Sequence, residues 1–273
     1  MEDILLPSKI EIVPSGRENE SLLVMEPFFH GYGHTVGNAL RRVLLSSLQG
    51  AAVIAVKIKG ASHEFQAIPN VKEDVLEIIL NLKQLRLKVY SDEPVKLTLH
   101  AKGDKKVTGK DIAPNSDVEV ANPNLHIATI TDKSGELEME ITVAKGRGYV
   151  PTEERGKEKA ELGTIAVDAL YSPIRSVGYK VDDVRVGQVT NYDKLTLTIE
   201  TDGTVDADEA IRQSAKILID HFSLLTGLAA GEEAPAKAEV SEEEETEEET
   251  EEDSETSADG EEKPKKKKAS KKK

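Results

Sequence analysis

Hydrophobic positions along the chain recur with two different periods. Val36, Leu40, Val43, Leu44 and Leu48 fall on one face at helical spacing. Thr35 is placed to cap that helix and Gly50 to follow its end. A second helix is predicted over Lys72–Leu85, where Val75, Ile78, Ile79, Leu82 and Leu85 share a face. A third follows Asp206 and Glu209, a pair resembling a capping box, and carries Ile211, Ala215, Leu218, Phe222 and Leu225 before Gly227 as a stop. Ile217, Ile219 and Leu224 widen its apolar band, as contacts on more than one side require, although an ordinary core helix has the same pattern.

Other segments alternate. Val95-Leu97-Leu99, Leu137-Met139-Ile141-Val143 and Leu195-Leu197-Ile199 read as half-buried antiparallel strands, and Val53–Ile58 and Val181–Val186 as further strands. Asp202-Gly203 and Ser134-Gly135 mark turns. The strongest helices lie outside residues 50–170, a region mostly of strands and loops. The expected class is α+β: a helix-plus-antiparallel-sheet domain from 1–49 and 171–228, interrupted by a β-rich domain at 50–170. Tyr171-Ser172-Pro173 marks the extended re-entry, since a residue before proline avoids the helical region.

Composition narrows the class. The 273 residues include no cysteine, which excludes a disulfide framework, a Cys-based zinc site and a thiol nucleophile. The start is too polar for a secretory signal and no apolar run of about 18 residues occurs, so a soluble cytoplasmic protein is expected. Aromatics are scarce and Trp is absent, against a base-stacking single-strand binder. Of the net charge of −15, residues 231–273 contribute 17 acids and 9 lysines, arranged as a glutamate block, Glu242–Asp253, before a lysine-rich end. With so little apolar surface, 229–273 is expected to be disordered.

Candidate chemistry is thin. Gly31, Gly33 and Gly37 approach a dinucleotide fingerprint, but the last glycine falls one residue late and no acidic partner follows; a tight turn into the helix accounts for them. His30 and His34 have metal-ligand spacing without a third ligand, and Gly-Tyr-Gly in that stretch argues against regular helix. Asp206 and Asp208 suit a helix start better than magnesium. Gly146-Arg147-Gly148-Tyr149 reads as a strand exit with glycines at positive φ, or as an anion cradle. Arg41 and Arg42 point away from the apolar stripe, so the helix is suited to lie between two partners.

Several long motifs occur in order: GHTVGNALRRVLLSSLQG at 33–50, VKEDVLEIILNLKQL at 71–85, DIAPNSDVEVANPNLHIATITD at 111–132, KGRGYVPTEE at 145–154, DALYSPIRSVGYKVDDVRVGQVTNYDKLTLTIETDGT at 168–204 and DADEAIRQSAKILIDHF at 206–222. In these the chain resembles the α subunit of bacterial DNA-directed RNA polymerase, over its N-terminal assembly region, roughly residues 1–228. The resemblance implies a dimerisation domain from both ends of that region and an inserted β-rich domain. The implied homodimer interface holds Val36, Leu40, Val43, Leu44, Ile211, Leu218, Phe222 and Leu225, and the implied β-subunit contact holds Arg42 with Arg41 beside it. Segment 168–192 is implied for β′.

The implied role is assembly of β and β′, with ω and sigma in the complete enzyme, for DNA-templated transcription. The subunit is expected to be non-catalytic and to need no cofactor, the catalytic magnesium being expected in β′. DNA is expected to be reached only through the assembled polymerase, which would place the chain at the nucleoid. A typical member continues into a small helical DNA-binding domain, whereas 229–273 has no apolar periodicity. Its lysine end is expected either to make weak non-specific DNA contacts or only to aid solubility. Two other readings stay open: a free-standing homodimeric binding protein, and a small-molecule enzyme using the 31–37 glycine loop.

Overall fold

The computed structural model describes residue 4 and residues 6–155, 163–187 and 189–229; the charged tail lies outside them from residue 230 onward. Strands β1 (Lys9–Pro14) and β2 (Glu20–Phe28) lead into helix α1 (Tyr32–Ser46) and β3 (Gln49–Ile58). Helix α2 (Val75–Leu82) precedes β4 (Leu87–Val89), β5 (Val95–Lys102), β6 (Lys105–Thr108) and β7 (Val118–Val120). Then come β8 (His126–Ile130), β9 (Glu136–Arg147), β10 (Tyr149–Val150), β11 (Thr164–Ala166) and β12 (Ala169–Leu170). A long hairpin of β13 (Ile174–Val186) and β14 (Val189–Thr201) leads to α3 (Ala207–Ala229). The fold is α+β.

Two antiparallel four-stranded sheets organise these elements, in the orders β1-β2-β14-β13 and β11-β3-β9-β5. The first brings strands from both ends of the described chain together, with Leu197 opposite Leu23 and Tyr179. The alternation along β14 puts Leu195, Leu197 and Ile199 on one face, where they are fully buried with Leu23, Leu44 and Ala210. Around the second sheet, a separate cluster joins Val56, Leu99 and Ile141 to Val75, Ile78, Ile79 and Leu82 of α2. The chain passes from one cluster to the other at β3: Leu48 belongs to the first and Val53 to the second.

The strand readings hold; the helix ends shift. Asp74 caps α2 by accepting the Glu77 backbone N–H at 2.7 Å, so the helix starts after it and not at Lys72. The carboxylate of Glu73 is occupied elsewhere, accepting the backbone N–H of Thr129 at 2.6 Å. Past Leu82 the chain tightens into turns, with Gln84 N–H to Asn81 and Leu85 N–H to Leu82. Helix α3 runs through Gly227 to Ala229, so that glycine does not stop it. No helix among the described residues is long and apolar enough to cross a membrane.

Candidate assembly surface

Helix α1 begins where the glycines are. Gly31 takes a left-handed conformation, φ 84°, and the helix starts at Tyr32, so Gly-Tyr-Gly does not interrupt it and Thr35 lies inside it. The Thr35 hydroxyl instead faces the Gly31 carbonyl at 3.4 Å. The cap comes from far along the chain. One carboxylate oxygen of Asp193, on β14, accepts the backbone N–H groups of Gly31 at 2.9 Å and Gly33 at 3.0 Å. A Cβ on Gly33 would sit 3.0 Å from Asp193, and one on Gly37 would sit 2.8 Å from Leu195 and 3.0 Å from Tyr179. These two glycines bring the helix backbone directly onto the β13–β14 hairpin. The helix N-terminus, the natural place for a phosphate, is filled by the protein's own anion, which removes the basis for a glycine-loop ligand site.

The arginine pair divides. Arg41 continues the stripe of Gly33 and Gly37 at spacings of four, and its Nε donates to the Val177 carbonyl at 3.1 Å. It faces the sheet, contrary to the expectation that both arginines point away. Arg42, one residue on, is exposed and its side chain has no hydrogen-bond or ion-pair partner among the described residues. The far end of α1 is held by the Ser172 hydroxyl, 3.3 Å from the Leu45 carbonyl. Ser47 closes the helix. Gly50 lies in β3, where a Cβ would be driven into the Tyr171 carbonyl oxygen at 1.9 Å, so it is a close-packing glycine and not a helix terminator.

The residues expected to form an interface are not equivalent. Leu40 and Leu44 are 7% and 0% exposed and serve the protomer core, leaving no surface for a second chain. Val36, Val43, Ile211 and Leu218 are half-buried. Phe222 and Leu225 stand out at 58% and 60% exposed, and Ile219 and Leu224 on the same helix are also open. A cleft of about 430 Å³ separates the C-terminal end of α1 from α3, lined by Val43, Ser47, Ile217, Leu218, His221 and Arg147. Around that cleft Val43, Ile217 and Leu218 stand among Ser47, Arg147, Asp220 and His221, with Arg42 on the same helix as Val43.

Comparisons with known proteins agree on one family. The model of the RNA polymerase Rpb3/RpoA insert domain matches residues 56–172. A DNA-directed RNA polymerase subunit alpha from Symbiobacterium thermophilum is 53% identical over 221 residues, which make up 81% of this chain and 70% of that protein. The chain belongs to the family of DNA-directed RNA polymerase α subunits. Its counterpart in Desulforamulus reducens is 52% identical over the same share of each chain. That of Clostridium beijerinckii is 54% identical over 75% of this chain and 65% of its own length.

Within this member of the family, sequence patterns missed the residues that join segments distant along the chain. Asp193 left a signal: it continues the period of Leu195, Leu197 and Ile199 onto the buried face, where a carboxylate needs donors. Gly146 reads as a strand exit, yet its role is to admit the Tyr171 ring, whose atoms lie 2.6 Å from a Cβ placed there; Gly148 does take positive φ, 64°. Burial pushes the Tyr171 phenol up from its ordinary value, with Arg155 opposing. Arg155 donates to the carbonyls of Ile54 and Val167. Arg86, just before β4, reaches Asp202 after β14 at 4.0 Å, and both are largely buried. Burial lowers the Arg86 value and Asp202 partly restores it.

The remaining candidates have structural partners. His30 Nδ1 is 3.8 Å from Asp193, whereas His34 meets the Tyr179 ring edge-on at 6.0 Å, so the two imidazoles serve different neighbours. Asp208 pairs with Arg212 at 3.0 Å, and the Asp206 carbonyl accepts the first helical N–H, from Ala210. His100, Glu136 and Glu138 stand within reach of one cation, all exposed on the second sheet. There Glu136 pairs with His100 at 2.8 Å and Lys102 at 3.2 Å, and Glu138 with Lys59 at 2.6 Å.

Proposed function

We propose that the chain homodimerises through the distal half of α3 and the adjoining edge of α1, and that the dimer scaffolds the β and β′ subunits of RNA polymerase. The observation that carries this reading is the open apolar run of Ile219, Phe222, Leu224 and Leu225 beside the α1–α3 cleft. Single exposed apolar residues need no explanation, but four within seven residues of one helix do. A second copy related by a two-fold axis would cover both sets at once. Obligate interfaces of this kind bury about 2,000 Å² or more.

In this reading Arg42 is the contact to β. Its guanidinium is exposed and without a partner among the described residues, carries a fixed charge, and is of the kind that pairs bidentately with carboxylates. Arg41, whose Nε donates to the Val177 carbonyl, is read as setting the helix in place beside it. The subunit contributes assembly and no catalytic group. Magnesium chemistry and DNA contact belong to the completed enzyme, which adds ω and sigma, and the work is cytoplasmic, at the nucleoid. The test is co-expression with a tagged β subunit. The reading expects this chain to co-purify with β, and Arg42→Ala to weaken capture while keeping the dimer. Recovery of β without the chain would overturn it.

A further inference from the structure

We infer that Asp193 is the positioning residue that seats α1, serving as the anion the helix N-terminus would otherwise take from outside. Asp193 is 4% exposed, and among the described residues it pairs with no lysine or arginine, its nearest basic neighbour being the exposed His30 ring at 3.8 Å. A buried carboxylate without a paired lysine or arginine is costly unless donors converge on it. Here one oxygen receives two backbone N–H groups at the positive end of a fifteen-residue helix. Space for the oxygen exists because position 33 has no side chain.

Packing explains why the seat needs a polar pin. Helices usually lock by interdigitating side-chain ridges. On its sheet side the first half of α1 presents Gly33 and Gly37, a smooth face that fits closely but resists sliding and rolling poorly, whereas Leu40 and Leu44 interlock its second half with the core. Direction comes from polar contacts at three points along the helix: Asp193 at the start, Arg41 to Val177 in the middle and Ser172 to Leu45 at the end. A roll of about 20° moves a side-chain tip roughly 6 Å from the axis by roughly 2 Å. That exceeds what a bidentate hydrogen bond tolerates. Asp193 thus sets where Arg42 points while touching neither Arg42 nor a partner. The consequence for capture rests on the assembly reading above; the seating itself does not.

The test compares Asp193→Ala and Asp193→Asn in the full chain by residue-resolved hydrogen–deuterium exchange and by capture of tagged β. Asp193→Ala is expected to speed exchange at Gly31 and Gly33 by about tenfold or more, leave strand 137–143 protected, and weaken β capture by about tenfold. Asp193→Asn keeps an acceptor oxygen and lacks the charge, so it should restore most of the protection at Gly31 and Gly33 and most of the capture. Unchanged exchange at those two amides in Asp193→Ala would overturn the inference. Their loss of protection with β capture intact would overturn the claim that Asp193 sets where Arg42 points. If the parent chain itself fails to capture β, the assembly reading falls, while the exchange comparison still decides whether Asp193 seats the helix.

Discussion

Replacing Phe222 with alanine isolates the apolar surface of α3, because the side chain stands 58% exposed and takes no part in either protomer core. A phenylalanine buries about 200 Å², so roughly 115 Å² is left for a partner to cover. At about 25 cal/mol per Å² that area is worth about 3 kcal/mol. Allowing for the methyl group that alanine keeps, the loss is about 2 kcal/mol per copy. A two-fold axis places the residue in the interface twice, so the dimer should weaken by about 4 kcal/mol, or about a thousandfold in Kd. Sedimentation equilibrium across a dilution series would read this directly. Far-UV dichroism at a concentration where both proteins dimerise should be the same for variant and parent. A dimer constant within about threefold of the parent would refute the assignment of this surface.

Three further predictions follow from individual contacts. Arg41→Ala should lower thermal stability by about 1 kcal/mol through loss of the Val177 bond, whereas Arg42→Ala should leave the melting temperature unchanged and weaken β capture; the reverse pattern would refute the division of the pair. Gly50→Ala should destabilise the fold by about 3 kcal/mol or more in urea denaturation, because its Cβ meets a backbone oxygen that cannot rotate away. Burial opposes the charge on Glu73, but His126 and the backbone and hydroxyl groups of Thr129 outweigh it and hold the carboxyl below its ordinary value of 4.5. The folded value being the lower one, this contribution is complete above the unfolded value and fades as pH falls through the folded value. Glu73→Gln should therefore flatten the fall in stability below about pH 4.5, as measured by urea midpoints across a pH series, and an unaltered slope would count against it.

Periodicity exposed most of the elements because their burial is one-sided. The strands at 95–102, 136–147 and 189–201 alternate, and each presents its apolar set to a core. What periodicity could not show is which face of an element meets its own protomer and which stays open. Leu44 and Phe222 are both apolar residues on helices, yet one is sealed and the other open, since that depends on what the fold stacks above each. Glycine was misread for a related reason. Gly33, Gly37, Gly50 and Gly146 sit where another segment comes within contact distance, and those segments lie far away in sequence. Asp193 was legible as an acid in phase with a buried stripe, although its donors, 160 and 162 residues away, were not. The assembly residues themselves came from family resemblance; the structure adds that Arg41 bonds the Val177 carbonyl, whereas the Arg42 side chain has no partner among the described residues.

The central claim is that two copies of this chain form the platform that holds β. It is tested most directly by the mass of the complex purified by tagged β, measured by light scattering behind size exclusion. The account predicts two copies of the chain for each β, falling to fewer with Phe222→Ala. One copy per β, or a parent chain that elutes as a monomer beside free β, would contradict it.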